Sequence, residues 1–533
     1  GLAAAQIAFL GDDARSPNAS RAVVHLDNRS SSPLIVQSVQ LYTPGDDGMS
    51  GSVAATRLDP FAPNGALPPN DRGGVVAHFD GVPLARGLVR VDVQDVDRRR
   101  WTIWAPRFFG KQQFDVGSGW LDVPTEKGVV PPTRETYLKL LKRMHVNLAH
   151  IESIPGYTDS LGENGLFTRY PLRMMGEFAD VQKYNADEWA ARIHGVDCVG
   201  EAQMDKTPMQ VHEAMKRYAG ARYPTTMTFS EDKGFRYYAG LADFPHFDAY
   251  RVNCGSADEW LFYSRWGGRR LLWGAPLEGI GEMTRTLYAL SRPAPIAAWS
   301  QNTHEGWYGR SKRKRESPTP DEIWIQAYEA IANGAKSLYW YSLQSWSLLK
   351  DRDVINVTTR VGREIRALQD LYLSGDAYGH QRVGPAQSPS LDLSSVVAPA
   401  HAVLFAVDLE YKPDFARKVF VFTGPRTISA EFRLPGYLKK PRDVFRIDAD
   451  GVYDVSWKAT QAGVAIQDEL DRVGVYVTSR DESFRDALRA RLRRLQEEER
   501  SVGFDPANDD GDYAALLRDF GYESADDIWP PKQ

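Results

Sequence analysis

The 533-residue sequence predicts a multidomain α/β protein: a central (β/α)8 TIM barrel with a β-sandwich domain on its N-terminal side and another on its C-terminal side. Three observations predict it. Purely β-type alternation is confined to the two ends of the chain. Between them, short β-type runs alternate with amphipathic helical stretches, the pattern of parallel βα units. The number of such strand runs is eight, over about 260 residues, which is the count and length of a closed barrel.

Residues 1–107 form the first segment. Runs such as "RAVVHLDN", "LIVQSVQLY" and "GLVRVDVQDV" are separated by turn-rich "PGDDGMSGS" and "APNGALPPNDRGG", and no helical period competes. Residues 108–378 form the barrel. Its strand candidates are residues 114–121, 146–153, 171–178, 197–203, 224–230, 247–253, 295–301 and 337–343. "TPMQVHEAMKRYAGAR" sets Thr207 as a cap before Pro208, and "TPDEIWIQAYEAIANGAK" repeats the device at Thr319 and Pro320 with Gly334 as its stop. Residues 379–480 return to alternation in "RKVFVFTG", "TISAEFRL" and "RVGVYVTS", a second sandwich. Residues 481–533 hold one charged helix, 482–500, and an acidic tail with a short helix.

Net charge is −5, from 65 basic and 70 acidic residues, so no basic surface for nucleic acid is implied. The dense basic run Arg310–Arg315 reads as a solvated loop. No apolar run reaches the length of a membrane-spanning helix. Two cysteines, Cys198 and Cys254, allow one disulfide but read better as small buried hydrophobes. Neither a metal-ligand cluster nor a phosphate-cradling glycine loop stands out, so no cofactor is expected. The start "GLAAAQIAFLG" has neither Met nor a basic leader, which suits an exported, secreted or periplasmic protein whose signal peptide has been removed. Oligomeric state is not legible.

Active sites of such barrels sit at the C-terminal ends of the strands, so the polar residues there are the candidates. Strand 2 ends with His150 and Glu152, strand 4 with Glu201 and Gln203, and strand 5 with Ser230 and Glu231. Strand 6 supplies Tyr250 and Asn253, strand 7 and its loop supply Trp299, Gln301, His304, Glu305 and Trp307, and strand 8 supplies Tyr341. Asp248 reads as early in its strand, near the barrel floor, in a structural role. Carboxylates, amides and aromatics on one rim suit a glycosidic bond. One carboxyl group protonates the leaving oxygen, a second attacks or activates water, and rings stack on sugar faces.

The segments "RPAPIAAWSQNTHEGW … SPTPDEIWIQAYEAIANGAKSLYWYSL" and "GEAQ … YPTTMTFSED … YYAGLADFPHFDAYRVN" resemble the corresponding βα units of bacterial glycoside hydrolases of clan-A type. The resemblance covers residues of about 110–375 and assigns no numbered family. It implies a Glu at the end of strand 4 as acid/base, matched by Glu201, though Gly200 stands where Asn is usual. It implies a nucleophilic Glu at the end of strand 7, where this chain has Gln301; Glu305 and Glu231 are the alternatives. The expected function is cleavage of a polysaccharide or oligosaccharide by two carboxylates, with Glu201 as acid and Glu305 or Glu231 as nucleophile or base. His150, Glu152, Gln203, Tyr250, Asn253, Trp299, Gln301, His304, Trp307 and Tyr341 are the expected carbohydrate contacts. The missing strand-7 Glu favours a second reading, a non-catalytic carbohydrate-binding or cell-surface protein on the same scaffold.

Overall fold

The computed structural model describes all residues except 14–15, 46–47, 120–133, 154–165, 178–180, 231–233, 249, 251, 253–256, 264–268, 272–276, 304–316, 386–387, 415, 418, 506–508 and 529–533. The chain opens with nine strands: β1 (Leu2–Leu10), β2 (Arg21–Asn28), β3 (Leu34–Gly45), β4 (Gly48–Ala54), β5 (Arg57–Pro60), β6 (Ala66–Leu67), β7 (Asp71–His78), β8 (Arg86–Asp95) and β9 (Arg100–Phe108). They form two antiparallel sheets, ordered β1-β2-β7-β5 and β4-β3-β8-β9, with β6 added to β3. Alternation along β8 sends Val89, Val91 and Val93 into the core between the sheets, where they meet Ile7, Val24 and Leu41.

The barrel is closed and parallel. Its strands are β10 (Val116–Ser118), β11 (Leu148–Ser153), β12 (Arg173–Glu177), β13 (Ile193–Asp197), β14 (Thr225–Phe229) and β15 (Phe244–Phe247). A hairpin of β16 (Ala257–Tyr263) and β17 (Arg269–Leu271) intervenes before β18 (Ile296–Thr303) and β19 (Ala335–Leu343), which pairs back onto β10. The two Thr-Pro helices, Pro208–Lys216 and Pro320–Ala332, start where the sequence predicts. Each is held by a reciprocal cap, Thr207 with Gln210 and Thr319 with Glu322. Gly334, at φ 112°, ends the second helix in the left-handed region and turns the chain into β19.

Two strands lie earlier than the sequence reading puts them. Strand 4 is Ile193–Asp197 rather than 197–203, and strand 6 is Phe244–Phe247 rather than 247–253. Both true strands carry residues that look unlike a buried strand: a histidine and a glycine in one (His194, Gly195), a proline and a histidine in the other (Pro245, His246). A barrel strand turns alternate side chains inward, and there a histidine can be satisfied. His194 Nδ1 donates to Asp115 at 2.5 Å, its Nε2 accepts from the Tyr339 hydroxyl at 2.5 Å, and Arg173 pairs with the same Asp115. Above this polar floor a layer of Leu148, Met175, Phe244, Ala297, Trp299 and Tyr339 fills the interior.

After the helix Arg352–Ser374 the chain builds a six-stranded antiparallel sheet, a three-stranded one and a two-stranded one between Asp376 and Ser479. The charged helix Phe484–Ser501 then docks on the barrel through Glu499, only 1% exposed. Its carboxylate accepts from Arg363 Nε at 2.6 Å and pairs with His145 Nε2 at 2.6 Å. A helix Asp509–Asp519 follows in the acidic tail.

Candidate functional site

Glu201 lies four residues beyond β13 rather than at its end. The chain leaves the strand at Asp197 and turns through Gly200, at φ 53°, whose N–H donates to Asp197 Oδ1 at 3.2 Å. Glu201 then precedes a single 3-10 turn, Ala202–Met204, with its side chain exposed. Its Oε2 accepts from Ser230 Oγ at 2.5 Å, so the loops after β13 and β14 meet over the barrel mouth. Asp248 immediately follows β15, and its N–H continues the ladder to Phe229 O at 2.9 Å. The sequence reading set Asp248 near the floor. Because β15 begins three residues earlier than expected, the residue stands at the rim instead.

Asp248 and Glu201 form a carboxyl pair. Burial pushes the Asp248 carboxyl well above its ordinary range. The neighbouring Glu201 charge and a hydrogen bond shared with Glu201 push the same way, against a smaller opposing contribution from Ser230. This environment favours the protonated form of Asp248. Tyr250 adjoins the pair: burial, then Asp248, Tyr341 and Glu201, raise its phenol well above the usual value.

An aromatic wall continues from Tyr250. Its ring stacks on Tyr341, with centroids 5.2 Å apart and planes at 18°, and Tyr341 meets Trp299 edge-on at 6.3 Å. Gly119, after β10, is tucked beneath both; a Cβ there would lie 3.0 Å from the Trp299 ring and 3.1 Å from the Tyr341 ring. Trp299 Nε1 donates to His246 Nδ1 at 2.9 Å, and burial drives His246 down to about 3, so it stays neutral. His150 meets the Trp299 ring edge-on at 5.7 Å and bonds Asp197 Oδ2 at 3.3 Å. Burial alone would raise Asp197. The bond and charge of His150, with His246 and the Gly200 N–H, bring it below the ordinary carboxylate range.

Of the predicted site residues, Glu201, His150, Tyr250, Trp299 and Tyr341 thus gather at one end of the barrel. Gln203 packs against Gly234 on the neighbouring loop. Gln301 is placed differently from the hydroxyl-positioning role expected of it. Its Oε1 accepts from Val252 N at 2.9 Å and its Nε2 donates to Val252 O at 3.2 Å, so both ends of the amide clamp the chain beyond β15. Glu231, Asn253, His304, Glu305 and Trp307 lie outside the described residues. So does the side chain of Glu152, although its backbone lies within β11. Sequence reasoning found Ser230 at a strand end but missed Asp248, Asp197 and His246 as parts of this site. Reading "FPHF" as the sixth strand would have put Asp248 at a strand end. Among the described residues no group of His, Cys, Asp or Glu is arranged to hold a metal ion, and no helix is long and apolar enough to cross a membrane.

No protein-family profile and no curated protein matches the sequence. Distant structural likenesses exist. A family 39 glycoside hydrolase from Bacteroides cellulosilyticus WH2 is 10% identical at a TM-score of 0.33, over 86% of this chain and 97% of that one. A cycloisomaltooligosaccharide glucanotransferase from Paenibacillus sp. is 8% identical at 0.40, over 89% and 99%. The type III pullulan hydrolase from Thermococcus kodakarensis is 10% identical at 0.35, over 89% and 100%. At such identities and scores these likenesses carry no functional weight.

Proposed function

We propose that the barrel cleaves a glycosidic bond in an oligosaccharide or polysaccharide, with Glu201 and Asp248 acting as one proton-sharing acid. The observation that carries this reading is the cluster at the barrel mouth: exposed Glu201, bonded to Ser230, and the buried Asp248 carboxyl whose charge it opposes, beside the stacked Tyr250 and Tyr341. Glu201 is the member that reaches substrate. It passes the shared proton to the glycosidic oxygen as the C1–O bond breaks, while Asp248 and Ser230 hold the charge left behind. An oxocarbenium-like sugar then takes the oxygen of water, whose released proton returns to the pair. Tyr341 offers a flat face for the ring.

The closeness of the two carboxyls, near enough for the Glu201 charge to raise Asp248, favours a second reading, carbohydrate binding without cleavage. Groups that act from opposite sides of a sugar stand about 5–10 Å apart. Assays of reducing-end release on α- and β-linked glycans, with wild type, Glu201→Gln and Asp248→Asn, separate the two readings. Wild type cleaves at least one glycan, Glu201→Gln falls by about 10²–10⁴-fold, and Asp248→Asn falls with a displaced acid limb. A wild type that cleaves none yet binds one is a binding protein.

A further inference from the structure

The outer face of the sheet β4-β3-β8-β9 carries a second constellation, on a different body from the barrel. Alternation along β9 points Ala105 and Arg107 inward and Thr102, Trp104 and Pro106 outward. Trp104 is left 49% exposed in the middle of this face. Cross-strand register sets Trp104 beside Arg90 on β8 and Arg90 beside Gln40 on β3; the next rung is Thr102, Asp92 and Ser38. Tyr42 leans towards Trp104, with ring centroids 5.2 Å apart and planes at 57°, about the span of a single sugar ring.

The polar groups around the two rings are held in place. Asp92 accepts from Thr102 Oγ1 at 2.6 Å, Ser38 Oγ at 2.9 Å and Arg90 Nε at 3.1 Å. Tyr42 donates its hydroxyl to Gln40 Oε1 at 2.7 Å, and the Arg90 guanidinium lies 5.5 Å from the Trp104 ring centroid. Such fixed groups lose little freedom when a ligand arrives.

The chemistry selects among ligand classes. Of the cations on the face, Arg90 is balanced by Asp92 and Arg100 stands apart at the start of β9, too little free charge to hold a polyanion. Beside Trp104 the neighbouring rung is Tyr42, Leu88 and Pro106, an apolar strip bounded on its other side by the polar rung Ser38, Asp92 and Thr102 and narrower than the apolar centre of a protein interface. What remains complementary is an uncharged ligand with a flat C–H face and hydroxyls around its edge.

We propose that this face is a non-catalytic carbohydrate-binding platform, on which a neutral pyranose stacks against Trp104 and Tyr42 while Arg90 and Gln40 hydrogen-bond its hydroxyls. It would hold the protein on a glycan chain whether or not the barrel cleaves it.

The experiment is calorimetric titration of the full chain in a Glu201→Gln background with maltohexaose, cellohexaose, xylohexaose and mannohexaose. Trp104→Ala, Trp104→Phe and Tyr42→Ala are compared in the same background. At least one hexasaccharide binds at a site additional to any in the barrel; Trp104→Ala weakens that site tenfold or more, and Trp104→Phe weakens it less. Because Trp104 is half exposed, unchanged thermal unfolding confirms that each variant is folded. The proposal is overturned if no hexasaccharide binds. It is equally overturned if the variant combining Trp104→Ala with Tyr42→Ala binds as many hexasaccharide molecules per chain as its Glu201→Gln parent, or if Trp104→Ala abolishes self-association instead.

Discussion

Replacing Gln301 with Glu puts a carboxyl group at the strand-7 position where the sequence resemblance expects a nucleophile. The structure predicts damage rather than gain. Gln301 is 1% exposed, and its amide is matched at both ends to the Val252 backbone, at 2.9 Å and 3.2 Å. A glutamate keeps the first bond. At the second it turns an N–H donor into an oxygen facing the Val252 carbonyl, so a buried acceptor loses its donor beside a buried charge. That costs about 2–4 kcal/mol at neutral pH, or about 5–10 °C in the barrel's unfolding midpoint. Protonated, the new side chain can donate to Val252 O again. Its pKa is therefore raised by folding, and its stability is present at low pH and lost as pH rises. Thermal unfolding of Gln301→Glu and wild type at pH 5 and pH 8 should show a deficit that is larger at pH 8. An unchanged midpoint at pH 8 together with faster glycan hydrolysis would refute the clamp and show residue 301 opening into the hollow.

Glu499→Ala strands Arg363 in the interior and should cost about 3–5 kcal/mol, read as loss of the first unfolding transition in calorimetry, whereas Arg489→Ala, at an exposed helix pair, should change little. Gly119→Ala forces its Cβ against Trp299 and Tyr341; it should cost about 1–3 kcal/mol and raise KM for the cleaved glycan more than it lowers kcat. Lys336 is buried among carbonyls, donating to Tyr372 O at 2.7 Å, and burial brings it down to about 7. The unfolded chain binds its proton more tightly, so stability should rise from pH 7 towards 10, by up to about 1.4 kcal/mol per pH unit. Chemical denaturation of Lys336→Met should lack that slope.

The order of elements was legible because each follows a local rule. β18 and β19 each hold an apolar run, Ile296–Trp299 after Pro295 and Leu338–Tyr341 a few residues after Gly334, and the Thr-Pro helices declare their starts. Strands 4 and 6 were misplaced because their fitness depends on partners far away in sequence. His194 belongs in a strand only because Asp115 and Tyr339 receive its two nitrogens, and His246 only because Trp299 donates to it. The same limit applied to the site. Glu201 is visible as an acid after a strand, but its pairing with Asp248 arises from two loops that meet across β14, which no local pattern encodes. Gln301 was read for its position on the rim, whereas its burial and its clamp on Val252 are properties of the folded barrel.

The most direct test of the account is a crystal structure of Glu201→Gln soaked with the oligosaccharide that wild type cleaves. The account predicts a sugar ring against Tyr341 in the barrel mouth, with its glycosidic oxygen in hydrogen-bond reach of residue 201 and with Asp248 directly behind. A sugar bound elsewhere only, or a mouth in which residue 201 touches no substrate, would contradict it.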